Sequence, residues 1–219
     1  MGYVIVTGYW AEEHDVGRQE FFNTWWDNTH KHASPEQVFV VSCNGYYPGE
    51  KKGNWIEATA NLGHVHHLIH GQRSQKLCGW TVSTLIGALL AYNCDADLIY
   101  KEQDCLCFGN WVEELYRAAN ETTSGMLFGQ NAYMMVEQSL VFVKHSALLD
   151  YVKAILEMPE TDAEVLPEAK YYRLHQSGLA THLPFPGGRD RPLDFETLPF
   201  YIQQTTAQEM EELRIKGLV

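Results

Sequence analysis

The apolar positions of this chain gather into short β-branched runs separated by stretches with helical spacing. Residues 3–7, YVIVT, closed by Gly8, predict a first buried strand. Across 17–28, Phe21, Phe22, Trp25 and Trp26 recur at helical intervals and predict an amphipathic helix. Residues 37–43, QVFVVSC, predict a second strand, and Asn44-Gly45 and Pro48-Gly49 are turn signals after it. A strand–helix–strand opening is the unit from which parallel sheets are built. Residues 61–70, NLGHVHHLIH, read as a strand with a solvent-facing row of histidines. A polar loop over 71–78 leads into an apolar helix over 79–93, where Ser83, Gly87 and Ala88 allow close packing on a sheet.

Next comes DADLIYKEQDCLC, residues 95–107. Leu98, Ile99 and Tyr100 have the apolar character of a buried strand, and Glu102, Gln103 and Asp104 follow it. In an extended chain, side chains i and i+2 share a face, so Glu102 and Asp104 would stand side by side. Ligand crevices of open α/β sheets lie outside the carboxyl ends of the strands. Two carboxylates there form an oxygen-rich site for a hard cation, Mg2+ or Mn2+. A solvated acidic turn is the alternative reading of the same three residues.

The second half continues the alternation. A helix is predicted over 110–120, a short strand over 126–130, and a strand over 134–144 with Glu137 and Gln138 near its start. A helix over 146–157 would take Ser146 as its cap. A polar segment, 159–176, holds a further helix around Glu168, and 207–216 closes the chain as a helix. Between them, THLPFPGGRDRPLDF over 181–195 has three prolines and a Gly-Gly pair, which argue for a loop with Arg189, Asp190 and Arg191 at its centre.

Composition narrows the classes. At 219 residues the chain is sized for one domain, and no apolar run approaches the ~20 residues of a membrane span. The start, MGYVIVTGYW, lacks a leader's basic end and long apolar core. The five cysteines contain no C-x-x-C pair, and an odd number fits reduced thiols and a cytoplasmic setting. A net charge of −12 argues against nucleic acid as a partner, and an anionic ligand would need local cations. Arg73 and Lys76 in the polar loop are candidates for that task. His64, His66, His67 and His70 supply a separate reading, a histidine-based metal hydrolase.

The segment CDADLIYKEQDCLCFGNW resembles the part of GT-A glycosyltransferases that ends in a D-x-D motif, with Glu102 standing where that family usually has aspartate. The resemblance implies a GT-A type α/β fold with a Rossmann-like, mixed but mostly parallel sheet flanked by helices. It divides a single domain, 1–219, into a nucleotide-binding half, 1–108, and an acceptor half with a closing loop, 109–219. It implies a UDP- or GDP-linked sugar as donor, a glycan or other hydroxyl acceptor, and Mn2+ or Mg2+. Asp104 and Glu102 would hold the ion, Glu102 alternatively touching ribose. Thr7 and Tyr9, ending the first strand, would meet the nucleotide along with Arg73 and Lys76. The 181–195 loop is similar to the H-x-x-G-x-x-K-P segment of the glycogenin and bacterial galactosyltransferase branch. That likeness makes His182 a third metal ligand and Arg189 or Arg191 the phosphate contact. Glu137 is the first choice for acid/base or sugar-binding work, and Glu168 the second. A non-catalytic nucleotide-sugar-binding relative shares all of these features. A nucleotidyltransferase ranks lower, because GYWAEEHDVGRQ puts acids where a glycine- and lysine-rich loop belongs.

Overall fold

Along β1 (Tyr3–Tyr9) side chains alternate between two buried faces. Ile5 and Tyr9 enter one apolar layer, and Val4 and Val6 the other. A strand covered on both sides belongs in the middle of a sheet. The computed structural model describes residues 2–12, 16–47, 49–57, 62–63, 65–72, 74–130, 136–184, 188, 191–198 and 200–219, with the backbone alone at 16 and 66.

From β1 the chain runs through α1 (Val16–His32), β2 (Gln37–Ser42), β3 (Asn54–Glu57), the short α2 (Val65–Ile69), α3 (Gly79–Asn93) and β4 (Asp97–Lys101). It continues through β5 (Cys105–Cys107), α4 (Trp111–Asn120), β6 (Met126–Gly129), β7 (Glu137–Val143) and α5 (Leu148–Glu157). The last elements are α6 (Pro167–Gln176), β8 (Thr181–His182), β9 (Tyr201–Gln203) and α7 (Ala207–Ile215). Seven strands form one sheet in the order β3-β2-β1-β4-β7-β6-β8. β1 pairs in parallel with β2 and β4, β2 with β3, and β6 with β8; β7 alone runs antiparallel to its neighbours. β5 and β9 form a separate antiparallel pair.

One face of the sheet is covered by α1, α4 and α7, the other by α3, α5 and α6. Gly87 brings α3 close to β1: a Cβ there would lie 3.0 Å from a Val6 methyl. Lys101, at the end of β4, is wholly buried on the α1 face. Its ammonium donates to Asn28 Oδ1 at 2.8 Å and Thr29 Oγ1 at 2.9 Å, between the rings of Trp25 and Trp111. Burial pushes its pKa down, and the hydrogen bonds and ring faces supply the compensation a buried cation needs. Among the described residues no helix is long and apolar enough to cross a membrane.

Three expectations need correction. The histidine-rich segment is helical at Val65–Ile69, because Val65, Leu68 and Ile69 fall at i, i+3 and i+4 and Leu68 is buried. Ser146 does not cap α5. The chain enters through a 3-10 turn, His145–Ala147, whose His145 N–H is taken by Asp97 Oδ1 at 2.6 Å. Glu102 and Asp104 do not extend β4. The strand ends at Lys101, and Glu102 opens a β-turn closed by Cys105 N–H donating to Glu102 O at 3.0 Å.

Candidate functional site

The order of the sheet reverses at β1. The chain steps out to β2 and β3, then returns to β4 on the other side. Such a switch point leaves a crevice outside the carboxyl ends of the strands. A cleft of about 310 Å³ lies there. Its floor is Gly8 from β1 and Tyr100 from β4. Gly8 N–H donates to the Tyr100 hydroxyl at 3.1 Å, and Ser83 Oγ lies 2.9 Å from the same hydroxyl. A Cβ on Gly8 would lie 2.6 Å from Ser83 Oγ and 2.9 Å from the Tyr100 hydroxyl. Burial first, then the nearby Glu102 carboxylate, holds the Tyr100 phenol protonated.

The walls come from several elements. The β4–β5 turn contributes Glu102, Gln103 and Asp104, so the two acids meet the cleft from a turn instead of a strand. β7 contributes Gln138; β9 and the residue after it contribute Gln203 and Gln204. The first turn of α6 contributes Pro167 and Glu168. Arg18, from α1, is the one cation among the described residues lining the cleft. Trp10 and Trp80 give it aromatic surface, and Trp80 Nε1 has no hydrogen-bond partner among the described residues. Gln103 Oε1 and Gln138 Oε1 are likewise buried without a partner among the described residues.

The start of α3 also faces this cleft, through Cys78, Gly79 and Trp80. A helix N-terminus attracts anions. The chain supplies one itself: Cys78 N–H donates to Asp162 Oδ2 at 2.7 Å, and Asp162 pairs with the buried Lys170 at 2.7 Å.

Of the residues expected to form a site, the fold brings Glu102, Asp104 and Glu168 to one cleft. Others stand elsewhere. Thr7 and Tyr9 occupy the β1 face opposite Gly8; Tyr9 packs on Phe22, Tyr47 and Trp55. Lys76 is exposed and donates to Met158 O at 3.3 Å. Glu137 is buried, and its Oε1 accepts from Ser139 Oγ at 3.2 Å. His182 lies on β8, three strands from β4, and stacks on His175 at 4.0 Å. Arg191 donates to the carbonyls of Gly188, Gln203 and Gln204 and pairs with Glu209 at 2.5 Å. Arg73, Arg189 and His64, and the side chain of His66, lie outside the described residues. His70 is exposed, and His67 lies edge-on to Trp10, their ring centroids 5.5 Å apart.

Glu102 and Asp104 suit a hard divalent ion of the kind held by one or two carboxylates and completed by substrate phosphates and water. Glu102 Oε2 accepts from Gln203 Nε2 at 2.6 Å, which fixes the carboxylate's direction. Among the described residues no three His, Cys, Asp or Glu side chains are grouped to hold a metal by themselves. The pair therefore fits an ion shared with a ligand, and His182 does not join it.

Solved structures share this architecture. The glycosyltransferase GlyE of Streptococcus pneumoniae TIGR4 superposes with a TM-score of 0.54 at 11% identity, over 94% of this chain and 55% of GlyE. Its apo form gives 0.57 over the same shares. A glycosyltransferase involved in glycosylation of the major capsid of PBCV-1 gives 0.52 at 9% identity, over 98% of this chain and 100% of that one. This chain shares the fold of those glycosyltransferases. The chain spans about half the length of the GlyE chains it matches. No protein-family model and no curated protein sequence matches it.

Arg18, Trp10, Trp80 and the glutamines are not singled out by the pattern along the chain. Trp10 could have been found from β1 itself, since it shares the parity of Gly8. Arg18 lies just after an acidic loop, and only the fold brings it to the cleft.

Proposed function

We propose that this chain transfers a sugar from a nucleoside diphosphate donor to a hydroxyl acceptor, with a divalent ion bound to Glu102 and Asp104. The observation that carries the reading is the convergence of Glu102, Asp104 and Glu168 on one cleft at the switch point of a glycosyltransferase fold. Each residue has work that its chemistry suits. Arg18 faces the diphosphate, where its planar fork makes paired hydrogen bonds. Glu168 accepts the acceptor's hydroxyl proton as the general base. Gly8 lets Ser83 and Tyr100 close up beneath the ligand. Mn2+ or Mg2+, when bound, supplies Lewis-acid stabilisation for charge on the departing diphosphate.

The charge balance supports the ion. Three carboxylates and one guanidinium line the described part of the cleft. A diphosphate brought there without added positive charge meets net repulsion. Calorimetry with UDP and GDP, each with Mn2+ and with EDTA, tests the reading. Binding in Mn2+ that disappears in EDTA is the expected result; no binding of either nucleotide in Mn2+ would overturn it.

A further inference from the structure

Four glutamines line one cleft: Gln103, Gln138, Gln203 and Gln204. They come from the β4–β5 turn, β7 and the end of β9, so the grouping is made by the fold and not by a repeat in the sequence. Gln103 is more than nine-tenths buried, and its Oε1 accepts no hydrogen bond among the described residues. Gln138 is partly exposed as a residue, and its Oε1 is buried and likewise accepts no hydrogen bond among the described residues. A buried amide oxygen without a partner carries a desolvation cost that a ligand's O–H or N–H group would relieve, and both side chains line the cleft.

Gln204 adds a backbone observation. Its φ is 55°, and Asp95 is the only other non-glycine described residue with positive φ. Residues other than glycine are held in this region only where the surroundings enforce it, commonly at functional sites. Here the enforcing group is visible. The Arg191 guanidinium donates to Gln203 O at 2.9 Å, Gln204 O at 3.2 Å and Gly188 O at 3.2 Å. Arg191 is anchored in turn by Glu209, which closes the capping box of α7 with Thr206. The start of α7 thus fixes the conformation that brings Gln204 to the cleft.

We infer that these glutamines form a wall that reads the hydroxyls of the transferred sugar and selects a neutral hexosyl donor over a uronic acid donor. The inference rests on the transferase reading above. A primary amide presents two N–H donors and a carbonyl acceptor, which matches hydroxyls that both donate and accept. It carries no charge to recognise a carboxylate. Glu102, Asp104 and Glu168 stand on the same walls, so a second anion on the sugar meets like charge.

The test is calorimetry in Mn2+ with matched donors that differ at C6: UDP-glucose against UDP-glucuronate, UDP-galactose against UDP-galacturonate, and GDP-mannose against GDP-mannuronate. UDP and GDP alone are the reference. The wild type is expected to bind one neutral donor more tightly than its bare nucleotide, and about a hundredfold more tightly than the matching uronate. Gln204→Gly keeps the backbone conformation without a side chain, and Gln103→Met keeps the volume without the amide. Each should lose most of the neutral sugar's added affinity while retaining the affinity for bare nucleotide. If nucleotide binds but the neutral sugar adds nothing, the uronate binds equally well, or both variants keep the preference, the wall does not read the sugar while the transferase reading stands. If neither bare nucleotide binds the wild type, both fall together.

Discussion

Glu137 and Glu168 are both glutamates at the start of an element, and their settings separate them. Glu137 begins β7, is 1% exposed, and turns its carboxylate back to Ser139 of its own strand. Glu168 stands in the first turn of α6 and faces the cleft. A general base must reach its proton, so the proposed role goes to Glu168, which lines the cleft, ahead of Glu137. The alternation of polar and apolar residues could not decide this. It shows that Glu137 opens an apolar strand, but not that both faces of that strand are covered. Glu168→Gln keeps size and hydrogen bonding and removes the base. It should lower kcat roughly 10²–10⁴-fold and leave nucleotide affinity in Mn2+ unchanged. Steady-state kinetics beside calorimetry check this; full activity in the variant would remove Glu168 from the mechanism.

The elements themselves were mostly readable. Helix α3 lies where the apolar run over 79–93 puts it, β1 and β2 follow their β-branched runs, and β4 follows the apolar Leu98–Tyr100. What escaped were the short pieces β3, β5, β8 and β9, whose existence depends on pairing partners outside their own segments. That gap matters, since the β5–β9 pairing is what carries Gln203 to Glu102. Element placement also rests on buried charge. Lys170 of α6 pairs with Asp162, each about 1% exposed or less, and Asp162 accepts from Cys78 at the start of α3. Lys170→Met would strand a buried carboxylate between two cleft walls. The expected loss is about 3–5 kcal/mol, and Lys170→Met with Asp162→Asn should recover part of it. Urea denaturation of both variants measures this, and a loss within experimental error for the single variant would show that the pair does not hold α6. A second joint is the stack of His182 of β8 on His175 of α6. Burial first, then His175, pushes the His182 pKa below its ordinary value. The unfolded chain therefore takes up this proton first on acidification, near pH ~6.5. The contribution is fully present above that pH and is lost as pH falls through the folded value. Melting temperature should drop between pH 7.5 and 5, less steeply in His182→Phe; equal slopes would locate the acid sensitivity elsewhere.

At the scale of the whole molecule the net charge of −12 sets the terms of ligand binding. A field of that sign disfavours a nucleoside diphosphate, and the cleft repeats the balance locally, with three acids and Arg18 among its described lining. A divalent ion at Glu102 and Asp104 would cancel the local excess of negative charge, so nucleotide and ion should bind together or hardly at all. Their joint binding must appear as stability, because a ligand that binds only the folded state stabilises it by mass action. With UDP or GDP at about a hundred times its Kd in Mn2+, the gain is about 2.7 kcal/mol. For a chain of this length that raises the melting temperature by about 5–10 °C. Nucleotide in EDTA, or Mn2+ alone, should each give little of this shift. Glu102→Gln with Asp104→Asn should abolish the joint shift without lowering the melting temperature of the ligand-free protein, since both side chains face the cleft instead of the core. Thermal unfolding followed by circular dichroism under the four conditions decides the matter. A shift of the same size with EDTA present would mean that Arg18 and the polar walls hold the diphosphate without an ion.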